Sequence, residues 1–172
     1  MRPRHRTPAL AFLLVATAAA GAQAPPAAAV PGALAGPGEQ AAMTLSATGV
    51  QVYECRAGAA DRPPEWVVRE PRADLFLAGR RIGRHYAGPT WEHEDGSAVI
   101  GRNAARVEAP EPGDIPWLRL DVATRRGAGA FGGVVAIQRI NTRGGVLAGS
   151  CPEPGRVSEV PYASDYVMLR RT

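Results

Sequence analysis

The strongest constraint on the fold is a series of short apolar runs that alternate with polar residues and are separated by turn residues. In the run WLRLDV, for example, Leu118, Leu120 and Val122 fall on one face of an extended strand. After residue 42, no window of about 12 residues has helical periodicity, and many prolines and glycines interrupt the chain. This pattern is typical of β-sandwiches and barrels. We therefore predict an all-β chain with a single-domain β-sandwich or barrel-like fold, short strands and glycine-rich turns.

The same pattern predicts individual strands and two hairpins. The turn Ala78-Gly79 joins strands at residues 74–77 and 80–86. A second turn, Glu94-Asp95-Gly96, joins residues 91–93 to 97–100, with glycine supplying the positive φ. Residues 127–132 match G-x-G-x-x-G, but a β-branched strand follows them where a dinucleotide site needs a helix, so we interpret them as a glycine-rich turn. Further strands are predicted at residues 49–55, 66–68, 117–122, 133–140 and 162–169.

The first residues have the pattern of an export signal. Three arginines precede an apolar run at residues 9–20, and cleavage fits after Ala22 or after Ala24. We predict a signal peptide at residues 1–22, an Ala/Pro/Gly-rich linker at 23–42 and a β-domain at 43–172. The apolar run is shorter than the roughly 20 residues of a membrane-spanning helix. We therefore expect an exported protein, periplasmic or extracellular, with no transmembrane segment in the mature chain.

The charge of the chain argues against nucleic acid as a partner. All 20 basic residues are arginines, and they exceed the 16 acidic residues by four. Without the three arginines of the signal, 17 basic residues face 16 acidic ones, so the mature chain carries a net charge of only +1. A nucleic-acid-binding domain should instead carry a clustered basic surface.

Cys55 and Cys151 are the two cysteines of the chain. Disulfides form and persist in exported proteins. Neither cysteine has a second cysteine or a histidine at the spacing of a metal site. We therefore predict a disulfide between them, in preference to a thiol nucleophile or a metal ligand.

Four blocks of sequence occur in order along the chain. They are VQVYEC at 50–55, HYAGPTWE at 85–92 with DGS at 95–97, IQRINTRGG at 137–145, and VPY at 160–162 with DY at 165–166. Together they resemble the DUF3455 family, a group of exported or extracellular proteins of bacteria and fungi whose function is uncharacterised. The resemblance extends over residues 43–172 and implies one secreted domain, with no catalytic residues to transfer.

Two of these blocks contain the candidate ligand-binding residues. One concentrates an imidazole, two large aromatic rings and a carboxylate within eight residues, and the other places guanidinium and amide groups at alternate positions of a predicted strand. Arginine forks on a shared face suit carboxylate or phosphate ligands. A solvated strand end with local salt bridges is the alternative interpretation. The candidates are His85, Tyr86, Trp91 and Glu92 from the first block and Arg139, Asn141 and Arg143 from the second.

Two functions remain open on the sequence. The first is a non-catalytic binding or envelope-associated module for an unknown ligand, with a glycan or an envelope component as the candidate and aromatic rings available to stack on a sugar. The second is a small hydrolase or metal-dependent enzyme centred on His85 and Glu92, which requires those two side chains to converge. His85 and His93 are the candidate metal ligands, but their spacing matches no standard site, so we predict no metal and no cofactor.

Overall fold

The computed structural model describes residues 29–59 and 62–172, and the predicted signal peptide lies outside them. Eight antiparallel strands form one sheet in which each strand pairs with the next along the chain, and β8 pairs with β1 to close a barrel. The all-β prediction is confirmed, with barrel architecture. A 3-10 helix at Gly32–Leu34 precedes the strands. The strands are β1 (Glu39–Arg56), β2 (Glu65–Leu77), β3 (Arg80–Tyr86), β4 (Thr90–His93), β5 (Ala98–Val107), β6 (Trp117–Arg126), β7 (Ala136–Gly144) and β8 (Val157–Arg171).

Several strands are longer than the sequence pattern predicts. β1 has 18 residues, β8 has 15 and β2 has 13. Pro71 lies inside β2, opposite Gln51. Because proline cannot donate a hydrogen bond to a neighbouring strand, the sequence predicts two separate strands on either side of it. A bulge between Val52 and Tyr53 lies next to this position. Bulges shift the alternation of inward and outward side chains, so a long bulged strand looks like two short ones in the sequence.

One end of the barrel is closed by the loop between β6 and β7. Its Phe131 is fully buried in the interior core, and its backbone N–H donates to Ser97 Oγ at 3.1 Å. The Asp95 carboxylate accepts the N–H of Ala130 at 2.8 Å, which ties the loop to the β4–β5 turn. Residues 127–132 form a turn between two strands, as predicted. Since turns that follow even-numbered strands share one end of an up-and-down barrel, Phe131 plugs that end.

The folded part of the chain begins before the predicted domain start at Met43. Leu34 is fully buried against an apolar patch on the outer barrel wall that includes Trp117 and Ile140. Its carbonyl oxygen accepts the side-chain N–H of Gln138 at 2.9 Å, and β1 begins at Glu39. Leu34 and the first residues of β1, which fall within the segment 23–42, are therefore part of the barrel structure. A single leucine among alanines, prolines and glycines gives no periodic signal, so its burial was not predictable from pattern.

The predicted disulfide is present and lies at the end of the barrel opposite Phe131. It links Cys55 near the end of β1 to Cys151 in the β7–β8 loop, with 5.8 Å between the Cα atoms. Backbone hydrogen bonds flank it, from Cys151 N–H to Pro64 O at 2.9 Å and from Trp66 N–H to Gly149 O at 3.2 Å. The loop between β7 and β8 is therefore fastened to the loop between β1 and β2.

Candidate functional site

The end of the barrel opposite the Phe131 plug contains a cavity of about 800 Å³, here called the mouth pocket. Barrel mouths are a preferred place for small-molecule sites because the strands supply a rigid wall and the loops a variable rim. The inner wall includes His85, Trp91, Leu120 and Tyr166, and Arg139 lies beside them. The rim includes Trp66, Val68, Arg69, Glu70, Arg106 and Val146.

The inner wall contains three aromatic rings in mutual contact. His85 on β3 is the register partner of Trp91 on β4, and the two rings stack with centroids 4.2 Å apart and an interplanar angle of 14°. Tyr166 of β8 packs edge-on against both rings at 5.1 and 5.3 Å. All three side chains are buried. This wall is therefore already packed, and its rings are not open stacking platforms.

His85 is held in its neutral form. Its Nδ1 lies 2.8 Å from the carbonyl oxygen of Thr90, which can only accept, so Nδ1 carries the proton. Burial lowers the pKa of His85 from the usual 6.5 to about 3, the hydrogen bond to Thr90 opposes that change, and the positive charge of Arg139 lowers it further. An imidazole with so low a pKa is a poor general base near neutral pH. His85 therefore packs into the wall as a neutral ring near neutral pH.

Arg139 is the charged group beside this wall. Its Nε–H and Nη2–H both donate to the Pro116 carbonyl oxygen, at 3.1 and 2.8 Å, which fixes the plane of the half-buried guanidinium. Of the five N–H donors of an arginine, three remain after those two bonds. No carboxylate in residues 29–59 or 62–172 forms a salt bridge with it. The pocket thus contains an oriented cation whose charge no neighbouring acid neutralises.

Two further donors belong to residues of the mouth pocket. The buried Nε2 of Gln51 and the buried indole Nε1 of Trp91 have no hydrogen-bond partner in the described structure. Buried donors normally have a partner, so each is a candidate for a water or ligand contact after a small side-chain movement. By contrast, Tyr53 on the same wall donates to Gly145 O at 2.6 Å. Two buried donors of the described pocket lining are therefore without a partner.

Comparison with known protein families gives one match. The family model described as "Protein of unknown function (DUF3455)" matches residues 77–170, more than half of the 172 residues. The chain belongs to the DUF3455 family. The match begins at the last residue of β2 and runs almost to the end of β8. No curated protein and no solved structure matches the chain.

In this DUF3455 protein, Glu92 does not converge with His85, so the condition that the enzyme alternative requires is not met. Successive residues of a strand point to opposite faces, so Trp91 faces His85 while Glu92 lies outside, opposite Arg84. Glu92 accepts from Tyr86 at 2.6 Å, from Arg126 at 2.9 Å and from Arg84 at 3.1 Å. The Tyr86 hydroxyl is the main cause of the lowered pKa of Glu92, and that same bond raises the pKa of Tyr86. This outer cluster is a saturated ion-pair network.

Arg139, Asn141 and Arg143 do not share a face, although their alternate positions in the sequence allowed it. The register of β7 against β8 shifts between Ile140 and Arg143, and Asn141 has a φ of 50°. This bulge moves Asn141 and Arg143 to an outer groove of about 700 Å³, separate from the mouth pocket. There Asn141 donates to Asp165 at 2.8 Å. Of these three residues, only Arg139 joins His85 and Trp91.

The histidines proposed as metal ligands do not come together with other ligands in the described residues of the DUF3455 domain. His93 lies at the plugged end, edge-on to Phe131, and its Nδ1 accepts the N–H of Asp95 at 3.1 Å. The described residues contain no group of three or more His, Cys, Asp or Glu side chains that could hold a metal ion. Within the same residues, no helix is long and apolar enough to cross a membrane.

Gln51, Tyr53 and Tyr166 are among the members of the pocket that the sequence did not single out. Gln51 and Tyr53 lie on β1 and Tyr166 lies on β8, and the pairing of these two strands joins residues far apart in the chain. Each lies within one of the four blocks that carry the family resemblance, and that shared membership is the signal that could have found them.

Proposed function

We propose that this protein is a non-catalytic binding module that holds a small organic ligand in the mouth pocket. The observation that carries the proposal is Arg139, a half-buried guanidinium without an acidic partner in the described structure, beside an aromatic wall and a cavity of drug-like size. A charge kept in such a place without a partner is costly unless something neutralises it. An anionic or polar ligand would do so.

The arrangement of the other groups supports binding over catalysis. His85 has too low a pKa to act as a base near neutral pH, and Glu92 lies on the outer face of the barrel. Both cysteines are held in the disulfide. The alternative of a hydrolase centred on His85 and Glu92 therefore has no support from the geometry.

The aromatic rings singled out in the sequence are not free to stack on a sugar. Trp91 is buried under His85, Trp117 is buried on the outer wall, and Tyr86 is engaged with Glu92. None of these rings offers a free face of the kind that stacks on a pyranose. We propose instead a ligand that enters from the loop end and lies between Arg139 and the rim. Export to the periplasm or the cell exterior stays a prediction from the first 22 residues.

The three tryptophans of the chain provide the test. Trp66 and Trp91 line the mouth pocket, whereas Trp117 packs on the outer wall, so their indole N–H signals in a ¹H–¹⁵N spectrum separate the two surfaces. We expect a library of small organic molecules to contain compounds that shift the Trp66 and Trp91 signals and leave Trp117 unchanged. Assignment follows from single Trp→Phe variants.

A rim variant and a matched control locate the binding. Val68→Trp narrows the rim, and Val157→Trp adds the same ring at an equally exposed position away from the pocket, the two valines being 52% and 50% exposed. Binding should weaken in the first variant only. If no compound moves the Trp66 or Trp91 signal, or if Val157→Trp weakens binding as much as Val68→Trp, the mouth pocket is not a ligand site. Conversion of a bound compound to product would refute the non-catalytic assignment.

A further inference from the structure

Resting on the proposed function, we propose that the mouth pocket selects organic carboxylates. The carboxylate of the ligand lies on the guanidinium of Arg139, and its apolar body lies against the rim side chains Trp66, Val68 and Val146. The ligand class is thus a small monoanionic acid with an aromatic or aliphatic body.

The geometry of Arg139 supports a planar anion. Its two bonds to Pro116 O use the Nε edge and leave Nη1–H donors and one Nη2–H donor available. Those remaining donors lie side by side, an arrangement that pairs with the two oxygens of a carboxylate. Because Pro116 already fixes the guanidinium plane, little side-chain freedom is lost when the acid binds.

The charges of the pocket lining favour the same sign of ligand. Three arginines line the pocket, Arg69, Arg106 and Arg139, against one carboxylate, Glu70. Arg106 is partly neutralised by Glu108, since its Nε donates to Oε1 at 3.0 Å. His85 is neutral and adds no charge. The lining therefore has an excess of positive charge that attracts anions into the mouth.

A single inner guanidinium fits one negative charge better than two. The other two arginines of the lining are exposed on the rim, where water screens their charge. A phosphate monoester would bring a second charge that no other buried cation of the described lining could neutralise. A carboxylate requires only the donors that Arg139 has.

Apolar side chains on the rim account for the body of the ligand. Val68 and Val146 are 52% and 41% exposed, and both lie on this rim beside the partly buried Trp66. Exposed apolar groups gathered around a cavity mark ligand surfaces more often than scattered ones do. The loop that carries Val146 is held by the Cys55–Cys151 disulfide, so this surface is formed before the ligand arrives.

The test uses pairs of probes of nearly the same shape, in which an amide NH2 replaces one carboxylate oxygen and removes the charge. The full chain is titrated with benzoate against benzamide and with hexanoate against hexanamide, following the Trp66 and Trp91 indole signals. We expect each acid to bind about tenfold or more tightly than its amide, the factor typical of a hydrogen-bonded charge. Phenyl phosphate forms a third arm and should bind more weakly than benzoate.

Variants of Arg139 decide the role of the guanidinium. Arg139→Gln should abolish the preference for acids while amide binding stays, and Arg139→Lys should retain only part of it because it keeps the charge and loses the fork. Arg143→Gln, on the same strand but in the outer groove, is the matched control and should bind like the wild type. An unchanged Trp117 signal shows that each variant is folded.

The outcomes separate the two proposals. If amides bind as tightly as acids, or if Arg139→Gln retains the preference, the carboxylate inference is wrong while shifts of Trp66 and Trp91 still support the pocket. Tighter binding of phenyl phosphate than of benzoate also overturns it. If Arg139→Gln does not fold, the ratio of acid to amide affinity in the wild type and the Arg139→Lys result decide. If no library compound or probe moves either indole signal, the proposed function itself falls.

Discussion

Replacement of His85 by Asn should make the stability of this protein less sensitive to acid. The folded chain keeps His85 neutral down to about pH 3, whereas the unfolded chain takes up a proton near pH 6.5. Because the unfolded state then binds more protons, the free energy of unfolding falls as the pH falls through this window. A pKa difference contributes about 1.4 kcal/mol per unit, so acidification from about pH 6.5 to about pH 4.5 should cost the wild type roughly 2–3 kcal/mol through His85 alone.

Urea denaturation followed by tryptophan fluorescence, at about pH 7 and about pH 4.5, measures this difference. In His85→Asn the amide N–H can still donate to Thr90 O, but the group does not titrate. The variant should be less stable than the wild type at neutral pH, since it loses the stack on Trp91, yet it should lose less stability on acidification. Carboxylates titrate in both proteins and cancel in the comparison. Equal acid losses in the two proteins, or a His85 ring that titrates near its usual value by NMR, would refute the reasoning.

Three other predictions concern stability. A Cys55→Ser/Cys151→Ser double variant should lose up to about 4–5 kcal/mol of unfolding free energy by the loop-entropy model, measured by urea denaturation. It should also bind carboxylates more weakly, measured by indole titration. An unchanged urea midpoint would contradict the stability prediction. Glu39→Gln should cost about 2 kcal/mol, because Glu39 accepts two bonds from the partly buried Arg119, at 2.7 and 2.8 Å. A thermal melt measures the loss, and a melting temperature equal to that of the wild type would show that the pair adds no net stability. Gly83→Ala should lower the free energy of unfolding by about 1–3 kcal/mol, since a Cβ there meets a backbone carbonyl of β4. Calorimetry measures this, and a melting temperature equal to that of the wild type would exclude the clash.

The local parts of the fold were predictable from sequence, and the long-range parts were not. The hairpin turns at Ala78-Gly79 and Glu94-Asp95-Gly96 carry their complete signal within a few residues, because glycine is needed at a positive φ of 79° and 83°. The length of β2 was not predictable, since Pro71 interrupts the pattern while the neighbouring strand pairing continues through it. The choice of a barrel over a sandwich depends on the pairing of β1 with β8, which no local pattern encodes.

The candidate site was predictable in its segments but not in its partners. His85 and Trp91 are close because strands β3 and β4 form a tight hairpin, yet the same register sends Glu92 to the opposite face. Arg139 was singled out together with Asn141, and the bulge of β7 separates them. A bulge depends on how two strands fit each other, so alternation within one strand cannot reveal it.

The closure of the barrel by β1 and β8 also affects how the domain unfolds under a mechanical force. Glu39 and Arg171 are paired, so the start of β1 and the end of β8 lie side by side. A force that pulls these two ends apart breaks the hydrogen bonds between the strands one after another. The Cys55–Cys151 link stands near the far end of that seam. Opening would stop there, and six strands of the barrel would bear no load while the bond is intact. In this way a covalent tie at the pocket rim doubles as a mechanical stop.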